Sequence, residues 1–304
     1  MRVFVTGVTG QVGRAIAAHL ASQGCHVTGM SRHFQPVPGL SEHVEASLGS
    51  EGAMELVRRA LQPCEVIVHA AAYLSHDKYD PSISLTNCLG TQQIVKLGHI
   101  WKSVQLVYTS SVPVIGRPRQ HPITEDHPVQ PLTTYHASKL YGEYLMQMAE
   151  DDSCRAVSLR LTSPSGPGTP ASRILAVFVR KAVAGEPLQI LGRGTRKQNY
   201  LDVRDAAFAV EACLTKQASG VYNIAAADSI SNCELAKLCI DELASSSSIE
   251  FVGTHDPEEG VEWGVSVSKA YRDLGYRPRF TTRDSIQAIA QESKRGTQRN
   301  PNQP

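Results

Sequence analysis

Thr6-Gly7-Val8-Thr9-Gly10-Gln11-Val12-Gly13 breaks the first apolar run of the chain and dictates the geometry on either side of it. Before it, Arg2-Val3-Phe4-Val5 has the character of a buried parallel strand. After it, Val12, Ile16 and Leu20 share one face of a helix that stops at Gly24, and Cys25 to Met30 forms a second strand. In a strand–turn–helix–strand unit each glycine has a mechanical task. Gly7 turns the chain sharply, Gly10 lets backbone approach a phosphate, and Gly13 lets the helix pack closely. The helix N-terminus, with Thr9, Gln11 and Val12 around it, then offers free N–H groups to a pyrophosphate. The context of the motif, more than its three glycines, predicts dinucleotide binding.

The chain of 304 residues is long enough for a substantial core, in one large domain or two small ones. Thirty basic and twenty-nine acidic residues leave a net charge of +1 with no basic block, which argues against nucleic acid as a partner. No apolar run approaches the ~20 residues of a membrane span, and the N-terminus does not resemble a secretory signal. The seven scattered cysteines contain no CxxC, and the dispersed histidines offer no ligand set. A cytoplasmic protein with reduced thiols and no metal is expected.

Strands and helices alternate through the first half. Strands are predicted at Glu65–His69, Val104–Tyr108 and Ala156–Leu161, and helices from about Pro81 to Trp101 and Thr134 to Glu150. That rhythm predicts an α/β, Rossmann-type doubly wound parallel sheet over residues 1–162, with a returning segment near 198–225. Residues 163–293 are expected to form mainly a smaller C-terminal substrate-binding lobe. It would hold a Ser/Pro/Gly-rich loop over 162–171, helices over 172–185, 233–243, 267–274 and 282–291, and short strands near 188–191, 198–203 and 221–224. Residues 294–304, polar and rich in Asn, Gln and Pro, are expected to be a disordered tail.

Tyr135-His136-Ala137-Ser138-Lys139 sets a phenol and an ammonium four residues apart on one helix face. A nearby cation favours the phenolate and moves the phenol towards the range useful for acid–base work. By itself this spacing is common on helix surfaces. Ser111 at a strand end, Asn87 within Thr86–Thr91, and the small residues Ala70, Ala71 and Ala72 give it company. All come after the glycine turn in one order.

With these features the chain resembles an extended short-chain dehydrogenase/reductase of the epimerase/dehydratase branch. The resemblance also takes in Arg160 with Gly166-Pro167-Gly168, Gly192-x-Gly194, Val203-x-Asp205, Tyr222-Asn223-Ile224 and Leu274-Gly275-Tyr276. It implies Tyr135 as acid/base, Lys139 as ligand of the nicotinamide ribose and tuner of Tyr135, and Ser111 as holder of the reacting oxygen. Asn87 would support Lys139 through water or backbone. It also implies a homodimer through the helices carrying Asn87 and Tyr135.

Departures from the family pattern bear on function. Ser31 and Arg32 stand where NAD-dependent members usually carry an acid, so NADP is expected over NAD. Val112-Pro113 replace the Asp-Glu of dehydratases, which makes sugar dehydration the least expected chemistry. Gln198 stands where epimerases place a diphosphate-binding arginine, and Ser163 replaces an asparagine. Arg193, Arg196 and Lys197 either restore that charge or form a solvated loop. The expected function is hydride transfer at a secondary alcohol or ketone, by 4-keto reduction or 4-epimerisation of a nucleotide sugar, with Ser111, Ser163, Arg196 and Gln198 contacting substrate. The alternatives are an NADPH-dependent ketoreductase for a non-nucleotide small molecule of secondary metabolism, and an inactive NADP-sensing protein.

Overall fold

The computed structural model describes residues 1–298 other than His76 and Lys78. Seven strands form the central sheet: β1 (Arg2–Thr6), β2 (His26–Ser31), β3 (Leu40–Glu45), β4 (Val66–His69), β5 (Gln105–Ser111), β6 (Arg155–Leu161) and β7 (Gly220–Ile224). Every pairing is parallel, in the order β7-β6-β5-β4-β1-β2-β3. The order reverses at β1, so a crevice opens between the carboxyl ends of β1 and β4, where ligands bind in sheets of this kind. Helices cover both faces, and the inner strands are accordingly apolar on both sides.

The helices are α1 (Gln11–Ser22), α2 (Ala53–Ala60), α3 (Gly90–Trp101), α4 (Thr134–Ala149), α5 (Ile174–Ala184), α6 (Val203–Lys216), α7 (Asn232–Glu242), α8 (Ser268–Leu274) and α9 (Thr282–Gln298). One face of the sheet packs on α1, α6 and α8, through Ile16, Val210 and Leu274. The other packs on α2, α3 and α4, through Val57, Leu97 and Met146. A separate apolar cluster joins α5, α7 and α9 around Phe178, Leu235 and Ile286. This cluster is distinct from the two that pack the central sheet, and the elements around it are called the lobe below.

Several boundaries differ from the sequence reading. The helix expected to begin at Pro81 is a short turn, Pro81–Ile83, then a π-helical turn, Ser84–Leu89, before α3. The wider turn carries Asn87 into the interior, where it is 2% exposed. The loop after Leu161 contains a strand, Ser163–Ser165, that pairs with Tyr200–Asp202. β3 and α2 are additional elements. α9 extends through Gln298, five residues into the stretch expected to be disordered; residues 299–304 lie outside the described residues.

Candidate functional site

The glycine turn is built as its mechanics demand. Gly7 has φ +68°, and a Cβ there would lie 2.7 Å from the Ala71 Cα. A Cβ on Gly13 would lie 2.2 Å from the Gly7 carbonyl oxygen, so α1 can pack on the turn only with glycine there. Gly10 caps α1 without a side-chain hydrogen bond, and the first turn carries no acidic residue. The amides of that turn therefore suit a pyrophosphate. The Gln11 side chain points elsewhere: its Nε2 donates to the Thr169 hydroxyl at 2.9 Å and to the Pro167 carbonyl at 3.3 Å, tying the turn to the lobe.

Behind the alanine run lies a buried polar chain. The Thr6 hydroxyl accepts from the Ala71 N–H at 3.2 Å and meets His69 Nδ1 at 2.7 Å. His69 Nε2 meets the Thr91 hydroxyl at 3.0 Å, and Thr91 donates to the Asn87 carbonyl. Burial, with Lys139 nearby, pushes His69 down to about 3, so the imidazole is neutral and links the turn at β1 to the π-helical turn.

Ser111, at the end of β5, and Tyr135, in the first turn of α4, line one cleft of about 690 Å³. Thr133 positions the start of α4 by accepting the His136 N–H. Neither the Ser111 hydroxyl nor the Tyr135 hydroxyl has a hydrogen-bond partner among the described residues. Lys139 is 3% exposed; its Nζ donates to the Thr109 carbonyl at 2.8 Å and lies 5.9 Å from the Tyr135 ring centroid.

Electrostatics at this point differ from the sequence reading. Burial pushes the Tyr135 phenol up to about 12, and the opposing charge is Arg173, not Lys139. The cause is mutual burial. Lys139 is itself pushed down to about 7, partly restored by Glu143, so much of its charge is lost near neutral pH. Asn87 is fully partnered by protein groups. Its amide donates to the Tyr73 carbonyl and the Ser138 hydroxyl, both at 2.9 Å, and its oxygen accepts from the Tyr73 N–H at 2.7 Å. It fastens the loop after the alanines to α4 at Ser138, the residue beside Lys139.

Ser163, Arg196 and Gln198 line the same cleft as Ser111 and Tyr135. Arg196 pairs with Glu258 at 2.6 Å and, with the Gln198 amide turned, donates to its oxygen at 2.9 Å through Nε. Its neighbours are paired as well, Arg193 with Glu259 at 4.0 Å and Lys197 with Glu262 at 3.5 Å. Away from the cleft, at the end of β2, the Ser31 hydroxyl donates to the His33 carbonyl and meets His43 Nε2 at 2.7 Å. Arg32 beside it is exposed.

The sequence reading missed Arg173, Asn199, Tyr200 and Asn232, which also line the cleft. Their positions depend on the lobe folding back over the sheet, which no local spacing signals. Asn199 ties together the two points where the chain leaves the sheet, after β6 and after β7. Its oxygen accepts from the Thr162 hydroxyl at 2.7 Å and the Ala226 N–H at 2.9 Å, while its amide donates to the Ala226 carbonyl at 3.0 Å.

Comparison with known proteins agrees with this architecture. The chain is 27% identical over 305 residues to dTDP-6-deoxy-L-talose 4-dehydrogenase (NAD(P)(+)) of Kitasatospora kifunensis, covering 95% of this chain and 94% of that protein. It is 27% identical over 239 residues to dTDP-glucose 4,6-dehydratase of Streptomyces griseus, covering 76% and 72%. Among solved structures, UDP-glucose 4-epimerase of Thermotoga maritima, determined with UDP-glucose, superposes with a TM-score of 0.87 at 20% identity, covering 98% of this chain and all of that one. UDP-glucuronic acid 4-epimerase of Bacillus cereus, determined with UDP-glucuronic acid and NAD, gives 0.82 at 22% identity, covering 97% and 99%. The model of the NAD dependent epimerase/dehydratase family matches residues 3–225, and the chain belongs to that family.

Proposed function

We propose that this protein is an NAD(P)-dependent oxidoreductase acting at a secondary alcohol or ketone of a nucleotide sugar, by 4-keto reduction or 4-epimerisation. The observation that carries the reading is that Ser111 and Tyr135 present two uncommitted hydroxyls to one cleft, beside the carboxyl ends of β5 and β6. In reduction, Tyr135 gives its phenolic proton to the carbonyl oxygen while Ser111 donates a hydrogen bond to that oxygen. In oxidation the proton returns to Tyr135. When bound, the nicotinamide dinucleotide supplies or accepts the hydride. The amides at the start of α1 would hold its pyrophosphate, Ala70–Ala72 would leave room for its rings, and Lys139 would bind its ribose.

NADP is favoured over NAD, because Ser31 cannot repel a 2′-phosphate and Arg32 can pair with one. Elimination of water is disfavoured, because Val112 and Pro113 line the cleft beside Ser111 and neither carries a proton-transfer group. Exposed Leu85, Leu89, Tyr144 and Met148 on the segments carrying Asn87 and Tyr135 fit a homodimer joined along those segments. Seven free cysteines fit a reducing cytoplasm.

Ion pairing of Arg193, Arg196 and Lys197 favours a second reading, reduction of a ketone that carries no diphosphate. Thermal shift with UDP- and dTDP-sugars separates the two. A nucleotide-sugar enzyme gains stability by mass action, and no shift with any of them sinks the first reading.

A further inference from the structure

We propose that His136 sets substrate specificity, its Nε2–H donating to a hydroxyl on the carbon next to the one that reacts. Substrates bearing that vicinal hydroxyl are then preferred over their deoxy counterparts. The inference rests on the reading that Ser111 and Tyr135 act on an alcohol or ketone in this cleft. His136 is half-buried and lines the cleft with Ser111, Val112, Pro113 and Tyr135. Its ring meets the Tyr135 ring edge-on, with centroids 5.3 Å apart. Helical side chains lean towards the helix N-terminus, and the start of α4 is the end that borders the cleft. One turn further along the same face, Leu140 packs on the apolar cluster of Val112, Val114, Ile115 and Ile123. His136 therefore stands on the Val112 side of the cleft.

The hydrogen-bond network assigns the ring proton. The Thr133 hydroxyl accepts the His136 N–H at 3.1 Å and lies 2.8 Å from Nδ1. It has no other acceptor among the described residues, so its own proton goes to Nδ1. Burial, with Lys139 nearby, pushes His136 down to about 4, so at neutral pH the imidazole is uncharged and carries its one proton on Nε2. Nε2 has no partner among the described residues and is not sealed off from solvent. Capping of α4 uses Nδ1 alone and leaves Nε2 a donor without an acceptor. An uncharged N–H suits a neutral hydroxyl, whereas an anion calls for a cation. With the reacting oxygen held by Ser111 and Tyr135, the oxygen left for His136 is the one on the neighbouring carbon.

The test compares UDP-glucose with UDP-3-deoxyglucose, which lacks the hydroxyl next to C4, by calorimetry on protein loaded with NADP or NAD. The wild type should bind UDP-glucose about tenfold more tightly. His136→Asn keeps a polar group beside Thr133 but is too short to reach the substrate, and should bring the ratio towards one. His136→Gln reaches further with an amide donor and should keep part of it. A helix that merely lost its cap would weaken both sugars alike and leave the ratio where it was. A wild-type ratio near one, or an unchanged ratio in His136→Asn, overturns the proposal. Should neither UDP-sugar bind, the nucleotide-sugar reading alone fails, and NADPH oxidation is followed with 2-hydroxycyclohexanone and cyclohexanone, which differ in the same vicinal hydroxyl. Equal kcat/KM for that pair, or no turnover of either, then overturns the His136 assignment too.

Discussion

Glu143 receives both arms of the Arg160 guanidinium, at 3.0 Å from Nε and 2.8 Å from Nη2, with the two side chains 5% and 6% exposed. Ser110 donates to the same carboxylate, so the pair braces the strand end that presents Ser111. Breaking a buried pair strands one charge, at a cost of about 3–5 kcal/mol. Glu143→Gln should therefore lose stability of that order in urea unfolding. A loss under about 1 kcal/mol would mean that solvent already reaches the pair.

Replacing Tyr135 with Phe removes the proton carrier and leaves the glycine turn intact. Turnover should fall by about 10²–10⁴-fold while cofactor affinity, measured by nicotinamide fluorescence, changes little. Retained turnover would dismiss Tyr135 as the acid/base. A protein that only senses NADP should keep its cofactor-dependent binding in this variant.

Lys139 makes stability depend on pH. Its ammonium titrates near 10.5 when unfolded and near 7 when folded, so between those values the unfolded chain binds the extra proton. Stability should therefore rise as pH increases from about 7 towards about 10, with the burial penalty fully felt below about 7. Denaturant midpoints of wild type and Lys139→Met, compared across that window, isolate the contribution. Parallel profiles would show that Lys139 keeps its charge in the folded protein.

Arg32→Ala should weaken NADPH binding by about tenfold and leave NADH binding nearly unaltered, because only the former carries the 2′-phosphate. Fluorescence titration with the two nucleotides decides this. Equal weakening would assign Arg32 to the adenine face and remove the basis for preferring NADP.

The main sheet was legible because β1, β4, β5 and β6 are short apolar runs punctuated by helices, and the glycine turn fixed which crevice would matter. β3 escaped notice because it is an edge strand in which Ser41 and Glu42 are exposed, so it lacks both an apolar run and clean alternation. The π-helical turn escaped because its residues have ordinary helical character, and only tertiary packing widens it. Order and spacing singled out Ser111 and Tyr135, and the fold brings those two to one cleft, with Lys139 buried behind Tyr135. The electrostatic balance among them was not legible, since desolvation of Lys139 and proximity of Arg173 to Tyr135 arise only when α4 and the lobe close over the strand ends.

The hydrogen bonds of Asn199 have a mechanical corollary. The chain leaves the sheet at Thr162 and again, after β7, at Ala226, and the Asn199 amide ties both exits within 3.0 Å. Opening the cleft must therefore break bonds at that clamp and also those by which Gln11 holds Pro167 and Thr169, six and four residues before Arg173, so the two ties together brace the wall against the sheet.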